Sequence, residues 1–227
     1  MESSSHRDVI ETKTNKNLVP QRTVCGRFEK EENNKRGTHM QDSIDIRLGT
    51  LNSQPFTATL TDETPHAQIY GYEWERFIIQ MMDNIMEDYT PSEVEMITTG
   101  EFTNGLLMST DNYLDYMHTV SWDSSTSYLT AELERRLGLF EHNNARNLRE
   151  YADRVEELPK LLVFVDDWTD DMKIVHDLGK TLGLHFIFVP HTFIPEDVFE
   201  FAFAVDVESY NKATVKYDGT TSLIQWS

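Results

Sequence analysis

Two short apolar runs with a helical pattern between them constrain the fold of this chain more than any other feature. Lys160-Leu161-Leu162-Val163-Phe164-Val165 is almost unbroken in its apolarity, as expected of a strand covered on both faces. His185-Phe186-Ile187-Phe188-Val189 is a second such run. Between them, Met172, Val175, Leu178 and Leu182 recur at helical spacing and are expected to face inward from a helix over Thr169 to Leu182. Gly183 stands where that helix has to end. Strand, helix and strand so close together make a right-handed, parallel βαβ unit. A parallel sheet needs helices on both faces, so the expected class is α/β, a Rossmann-like three-layer domain with a mostly parallel sheet.

The segments upstream fit that frame. Ala67-Gln68-Ile69-Tyr70-Gly71 reads as a strand ending at glycine, and Trp74, Phe77, Ile78, Met81, Ile85 and Met86 then share one helical face. Thr90 to Glu93 is a break, and Val94 to Ile97 the next strand. Thr98 to Asn104 is expected to be a loop, Leu106 to His118 a helix, and Thr119 to Trp122 a strand. Further helices are expected over Ser127 to Leu139 and Asn147 to Leu158. Two hairpins flank this body. One pairs Ile44, Ile46 and Leu48 with Phe56, Ala58 and Leu60 across Asn52-Ser53-Gln54-Pro55. The other turns at Asp218-Gly219 between Ala213-Tyr217 and Leu223-Trp226.

Residues 1–41 differ from the rest in kind. They are polar and without periodicity, and cannot bury enough apolar surface to offset the entropy of ordering, so they are expected to be a flexible or partner-bound arm on a domain spanning 42–227. The arm holds eight Lys/Arg and six Asp/Glu, a net of +2, whereas the body holds twelve and thirty-three, a net of −21. Such a body repels phosphate backbones, which argues against direct nucleic-acid binding. It is read either as a solvated surface or as one that engages a basic protein partner, with the arm as a second contact and oligomerisation left open. With no run of about 18 apolar residues, no membrane span is expected. No signal-peptide layout opens the chain, and Cys25 is the single cysteine, which excludes an internal disulfide or a Cys-based zinc site. The expected location is cytoplasmic, or a host cytoplasm or virion for a phage-encoded protein.

Ligands in open α/β sheets bind beyond the carboxyl ends of the strands, which points to the loops after Gly71, Thr98 and Val165. Along this stretch the order of segments resembles the SLOG superfamily, which includes cytokinin-activating hydrolases and DprA-like proteins as well as small phage and bacterial members. The residues that carry the resemblance are Arg146-Asn147, Tyr151-Ala152-Asp153, and the run from Val163 to Leu184 with its strand-end Asp166. The resemblance implies a nucleotide-type cleft whose candidate ligand contacts are Gly71, Glu73, Thr99, Gly100, Asn104, Arg146, Asn147, Asp166, Asp167 and Thr169.

The departures from that family are specific. Asp167, Asp171 and Met172 stand where the resemblance implies Gly, Gly and Thr, and Phe102 where it implies Arg. Backbone amides must approach a phosphate closely, and acidic residues at a helix start cap those amides instead. A phosphate beside Asp167, Asp170 and Asp171 would meet like charge costing on the order of several kcal/mol. A divalent cation such as Mg²⁺ reverses that sign; without it no cofactor or metal is expected. No Walker-type, nucleophile-elbow or His-x-x-x-His spacing is present, no catalytic residue is assigned, and His185 and His191 are read as core or surface residues. The expectation is therefore a non-catalytic interaction or structural module on a degenerate SLOG fold. The alternatives are a domain that senses or processes a nucleotide derivative in the retained cleft, or an acidic decoy of a DNA-binding protein.

Overall fold

The structure, a computed structural model, describes residues 43–99, 116–165, 177–190, 194 and 200–226. Ten strands form one sheet: β1 (Ser43–Leu51), β2 (Gln54–Thr61), β3 (Ala67–Gly71), β4 (Val94–Thr99), β5 (Met117–Val120), β6 (Lys160–Val165), β7 (Leu184–Phe188), β8 (Phe203–Ser209), β9 (Lys212–Tyr217) and β10 (Thr220–Gln225). Their order across the sheet is β2-β1-β10-β9-β8-β3-β7-β6-β4-β5. The block from β8 to β5 is parallel throughout, and the pairings from β8 outward to β2 are antiparallel. The helices are α1 (Trp74–Asp88), α2 (Trp122–His142) and α3 (Leu148–Arg154), with a 3-10 turn at Lys180–Leu182.

Side-chain alternation distributes the strands between two cores. Leu162 and Phe164 of β6 and Ile187 of β7 pack with Phe77, Ile78 and Met81 of α1 on one face. Leu161, Val163 and Val165 of β6, with Phe186 and Phe188 of β7, pack with Leu129 and Leu133 of α2 and Tyr151 of α3 on the other. All six residues of β6 are buried, as the apolar run requires. The three-layer α/β class expected from sequence is the class observed.

Several expectations are revised in detail. Both terminal hairpins form, with Asn52, Ser53, Asp218 and Gly219 in the left-handed region that two-residue hairpin turns demand. They are not separate additions, because β10 pairs with both β9 and β1 and draws them into the one sheet. The strand expected over Thr119 to Trp122 lies at Met117–Val120, held by parallel pairing with β4, and Trp122 already begins α2. His118 therefore belongs to a strand, and 106–115 of the helix expected there lie outside the described residues. Strand β8, where no element was expected, forms because β3 and β9 supply partners on its two edges. Leu178, expected inward, is 43% exposed, while Leu182 is buried.

Candidate functional site

The carboxyl ends of β3, β4 and β6 share one edge of the sheet. Strand β3 ends at Gly71, whose φ of +113° and close approach to β8 exclude a side chain: a Cβ there would lie 2.3 Å from the Val207 carbonyl oxygen. The next residue, Tyr72, donates its N–H to that same carbonyl at 3.0 Å, and its side chain is 83% exposed. Glu73 is the N-cap of α1 and makes no side-chain capping hydrogen bond, so the first amides of α1 are left uncapped by it. In the first turn, the Arg76 guanidinium lies 5.0 Å from the centre of the Tyr210 ring, with Tyr210 exposed on the β8–β9 turn.

Strand β4 ends in two fully buried hydroxyls. Thr99 donates to the Phe164 carbonyl of β6 at 3.1 Å, whereas Thr98 Oγ1 is buried without a hydrogen-bond partner. Thr98 pairs in register with Phe164, so both threonines border the end of β6, after which the sequence continues Asp166-Asp167. One strand, β7, separates β3 from β6, which puts Gln68 level with Val165 at about 10 Å and the Gly71 turn, three residues further along, about 14 Å from the end of β6. Gln68 on β3 accepts from and donates to the backbone of Ile194, pinning the chain beyond β7 near this edge.

Of the sequence-predicted ligand contacts, Gly71, Glu73 and Thr99 lie along this edge, with β7 and β6 between the first two and Thr99. Gly100, Asn104, Asp166, Asp167 and Thr169 lie outside the described residues. Arg146 and Asn147 do not belong here. Leu148, the residue after them, packs against Gly183 at the start of β7, and Gly183 accepts from Leu161 at the start of β6. That is the amino edge, a strand's length of about 20 Å away. Their work is structural. The Asn147 side chain caps α3 by accepting from Glu150 N–H at 2.8 Å, and the Glu150 carboxylate accepts from Arg146 N–H at 3.1 Å. Tyr151 is core, stacked on Phe140 at 5.2 Å. Sequence reasoning placed Tyr72 and Thr98 in candidate loops without selecting them as contacts, and missed the Arg76–Tyr210 pair; the doubled threonine closing an apolar strand was the available signal for Thr98.

Among the described residues, no group of three or more His, Cys, Asp or Glu is arranged to hold a metal ion. His185 is fully buried with its Nδ1 3.2 Å from the Pro65 carbonyl oxygen; burial, with Lys160 nearby, pushes its pKa down to about 3. A histidine held neutral in this way is a core residue. No described helix is long and apolar enough to cross a membrane.

No family model and no curated protein matches the chain. Solved structures do. The cytoplasmic domain of the Thermomonospora curvata type VII secretion ATPase EccC is similar over 85% of this chain, with a TM-score of 0.64 and 11% identity. At this identity the likeness shows a shared fold. EssC (ATPases 2 and 3) from Geobacillus thermodenitrificans is similar over 83% of the chain (TM-score 0.58, 13% identity), and the pCW3 conjugation coupling protein TcpA, solved with ATPγS, over 82% (TM-score 0.57, 12% identity). The chain spans 29%, 45% and 66% of those three proteins respectively. The expected non-catalytic interaction or structural module is corrected by this likeness, because the fold is shared with ATPase domains. The degraded glycine loops on which that expectation rested are a local feature of two loops, whereas the likeness extends over most of the chain. The likeness does not bear on the SLOG resemblance.

Proposed function

We propose that this chain is a magnesium–nucleotide-binding domain on an ATPase fold, with the nucleotide at the carboxyl edge between β3 and β6. The observation that carries the reading is the strand order. It brings the Gly71 turn and the uncapped start of α1 to the same edge as the end of β6, about 14 Å from it, where Asp166-Asp167 follow in sequence. A helix start offers amides to phosphate, and an acidic residue after a buried strand is where ATPases of this type hold Mg²⁺. The ion also offsets the like-charge cost that Asp166 and Asp167 impose on a phosphate.

The phosphate grip differs from that of a G-x-x-x-x-G-K-[ST] loop. Only Tyr72 and Glu73 separate Gly71 from α1, and no lysine opens the helix. Binding then depends on the α1 amides, on Arg76 as the cation of the first turn, and above all on Mg²⁺. Exposed Tyr72 and Tyr210 border the same place and offer stacking surface to a base.

Calorimetric titration of the full chain with ATP, ADP and AMP, each with and without Mg²⁺, tests this. The expected result is saturable ATP or ADP binding that requires Mg²⁺ and weakens at least tenfold in Asp166→Asn and in Arg76→Ala, about 1.4 kcal/mol each. Absence of binding for all three nucleotides with Mg²⁺ present would sink the reading. Phosphate release from the same mixtures reports whether bound ATP is turned over.

A further inference from the structure

Strand β2 closes one end of the sheet, so among the described residues only β1 pairs with it, and its outer side carries a row of open peptide groups. Its neighbour shows which groups those are. Asp45, opposite Thr59 in the register, gives its N–H and C=O to the Tyr89 hydroxyl at 2.7 and 3.2 Å, so Asp45 and Thr59 do not hydrogen-bond across the hairpin. Backbone direction alternates along a strand. Pro55, Thr57, Thr59 and Thr61 therefore turn their peptide groups outward, and Phe56, Ala58 and Leu60 turn theirs toward β1. Thr61 agrees with this assignment, because its N–H is bound by the Thr64 carbonyl at 3.2 Å and not by β1.

Proteins blunt a free edge with charge, commonly a lysine, or with a bulge that twists the edge away. Strand β2 has neither device. Gln54-Pro55-Phe56-Thr57-Ala58-Thr59-Leu60-Thr61 contains no charged residue in a chain of net charge −19, and the bulge of this hairpin lies in β1, between Arg47 and Gly49. Pro55 lacks an outward donor, and the donor of Thr61 is already used. Thr57, which is exposed, and Thr59 keep both outward groups.

We propose that β2 pairs antiparallel with β2 of a second copy of this chain, about a two-fold axis at Ala58. In that register Thr57 of each copy faces Thr59 of the other, and the two exchange both peptide hydrogen bonds. Threonines opposite each other on a pleated surface are a favourable cross-strand pair. The intact groups thus match one another completely. Pro55 and Thr61 fall opposite each other at the two rims, where no donor is left over and their carbonyls stay in water. Charge selects the occupant. A basic partner finds nothing to recognise on an uncharged strand, whereas two strongly acidic bodies can approach where neither carries charge. The contact is isologous, and the far end of the sheet is β5 and not a second β2, so assembly stops at two copies.

Sedimentation velocity of the full chain over a concentration series, at low and moderate NaCl, tests this together with hydrogen exchange. The expected result is a monomer–dimer equilibrium that salt strengthens, because each copy carries a net charge of −19. The Thr57 and Thr59 amides should exchange at least about tenfold more slowly where the dimer dominates, while those of Ala58 and Leu60, already bonded to β1, change less. Thr57→Pro removes an outward N–H without touching a bond to β1, and Thr57→Asp adds like charge on both sides of the axis. Each should weaken dimerisation at least about tenfold. The proposal is overturned if the chain stays monomeric at every concentration and salt, which would leave the edge to a foreign strand. It is equally overturned if both variants dimerise as the unaltered chain does, or if the Thr57 and Thr59 amides are indifferent to concentration. The exchange comparison uses the unaltered chain alone and decides the matter even if neither variant folds. No nucleotide enters these measurements, so they stand apart from the ATP titrations.

Discussion

Arg136 is 1% exposed and is the most demanding side chain in the molecule. Burial pulls its pKa below the ordinary value, against the Glu132 hydrogen bond that raises it. Its guanidinium donates to Glu132 at 2.7 Å and to the Leu182 and Pro159 carbonyls at 2.8 Å each, so it ties α2 to the starts of β6 and β7. Burial pushes the Glu132 carboxyl up, but the Arg135 and Arg136 hydrogen bonds outweigh it and hold the pKa below the usual carboxylate value. Arg136→Met strands two buried carbonyls and leaves the Glu132 carboxylate with Arg135 alone, and should cost about 3–5 kcal/mol in urea unfolding. Arg135→Met removes the exposed partner of the same carboxylate and should cost under about 1 kcal/mol. His185 makes the complementary prediction. Its folded pKa of about 3 lies below the ordinary 6.5, so the unfolded chain takes the proton first as pH falls. The stability is fully present above pH 6.5 and is lost progressively toward pH 3, at about 1.4 kcal/mol per pH unit for this group. His185→Leu should flatten that acid limb in unfolding curves while lowering stability slightly at neutral pH, through the unpaired Pro65 carbonyl.

At the scale of elements, the first hairpin depends on α1 more than on its neighbour in the sheet. Its paired register with β10 is a single position, Thr50 to Gln225. Against α1 it makes a buried contact through Ile44, Ile46 and Leu48, and a polar one through Tyr89, whose hydroxyl accepts from Asp45 N–H at 2.7 Å and donates to the Asp45 carbonyl at 3.2 Å. Tyr89→Phe should destabilise the fold by about 1–2 kcal/mol and speed amide exchange at Asp45 before exchange elsewhere in β1. The α3 start offers a second check, because Asn147 acts there as a cap rather than as a ligand contact. Asn147→Ala should cost about 1 kcal/mol in stability and leave nucleotide affinity unchanged. A loss of nucleotide binding in that variant would reinstate Asn147 in the site.

For the whole molecule, charge is the governing quantity. A formal net charge of −19 on 227 residues repels itself in the compact state, and salt screens that repulsion. The thermal midpoint should therefore rise on going from low to moderate NaCl; a midpoint that falls would show that specific ion pairs outweigh the general repulsion. The same charge sets the terms for nucleotide binding. An anionic ligand approaching this body needs a cation with it, which is why Mg²⁺ dependence discriminates better than affinity alone.

The layer architecture was legible in sequence because burial on both faces leaves an unmistakable mark: β6 and β7 are apolar at nearly every position, and α1 carries its core residues at helical spacing. Both hairpin turns were legible for an equally local reason, the left-handed conformations that Asn52-Ser53 and Asp218-Gly219 adopt. What lay beyond the sequence depended on partners distant along the chain. Strand β8 exists because β3 and β9 flank it, and β7 lies between β3 and β6 because the chain returns over the sheet. Arg146 and Asn147 were adjacent in the reading to a strand ending in Asp166, yet they stand at that strand's opposite end, since a helix and a strand in sequence run in opposite directions across the sheet. Local pattern determines which segments are strands and helices. Which ends of them meet, and so where a ligand can be held, is decided by pairing and packing between residues that the sequence places far apart.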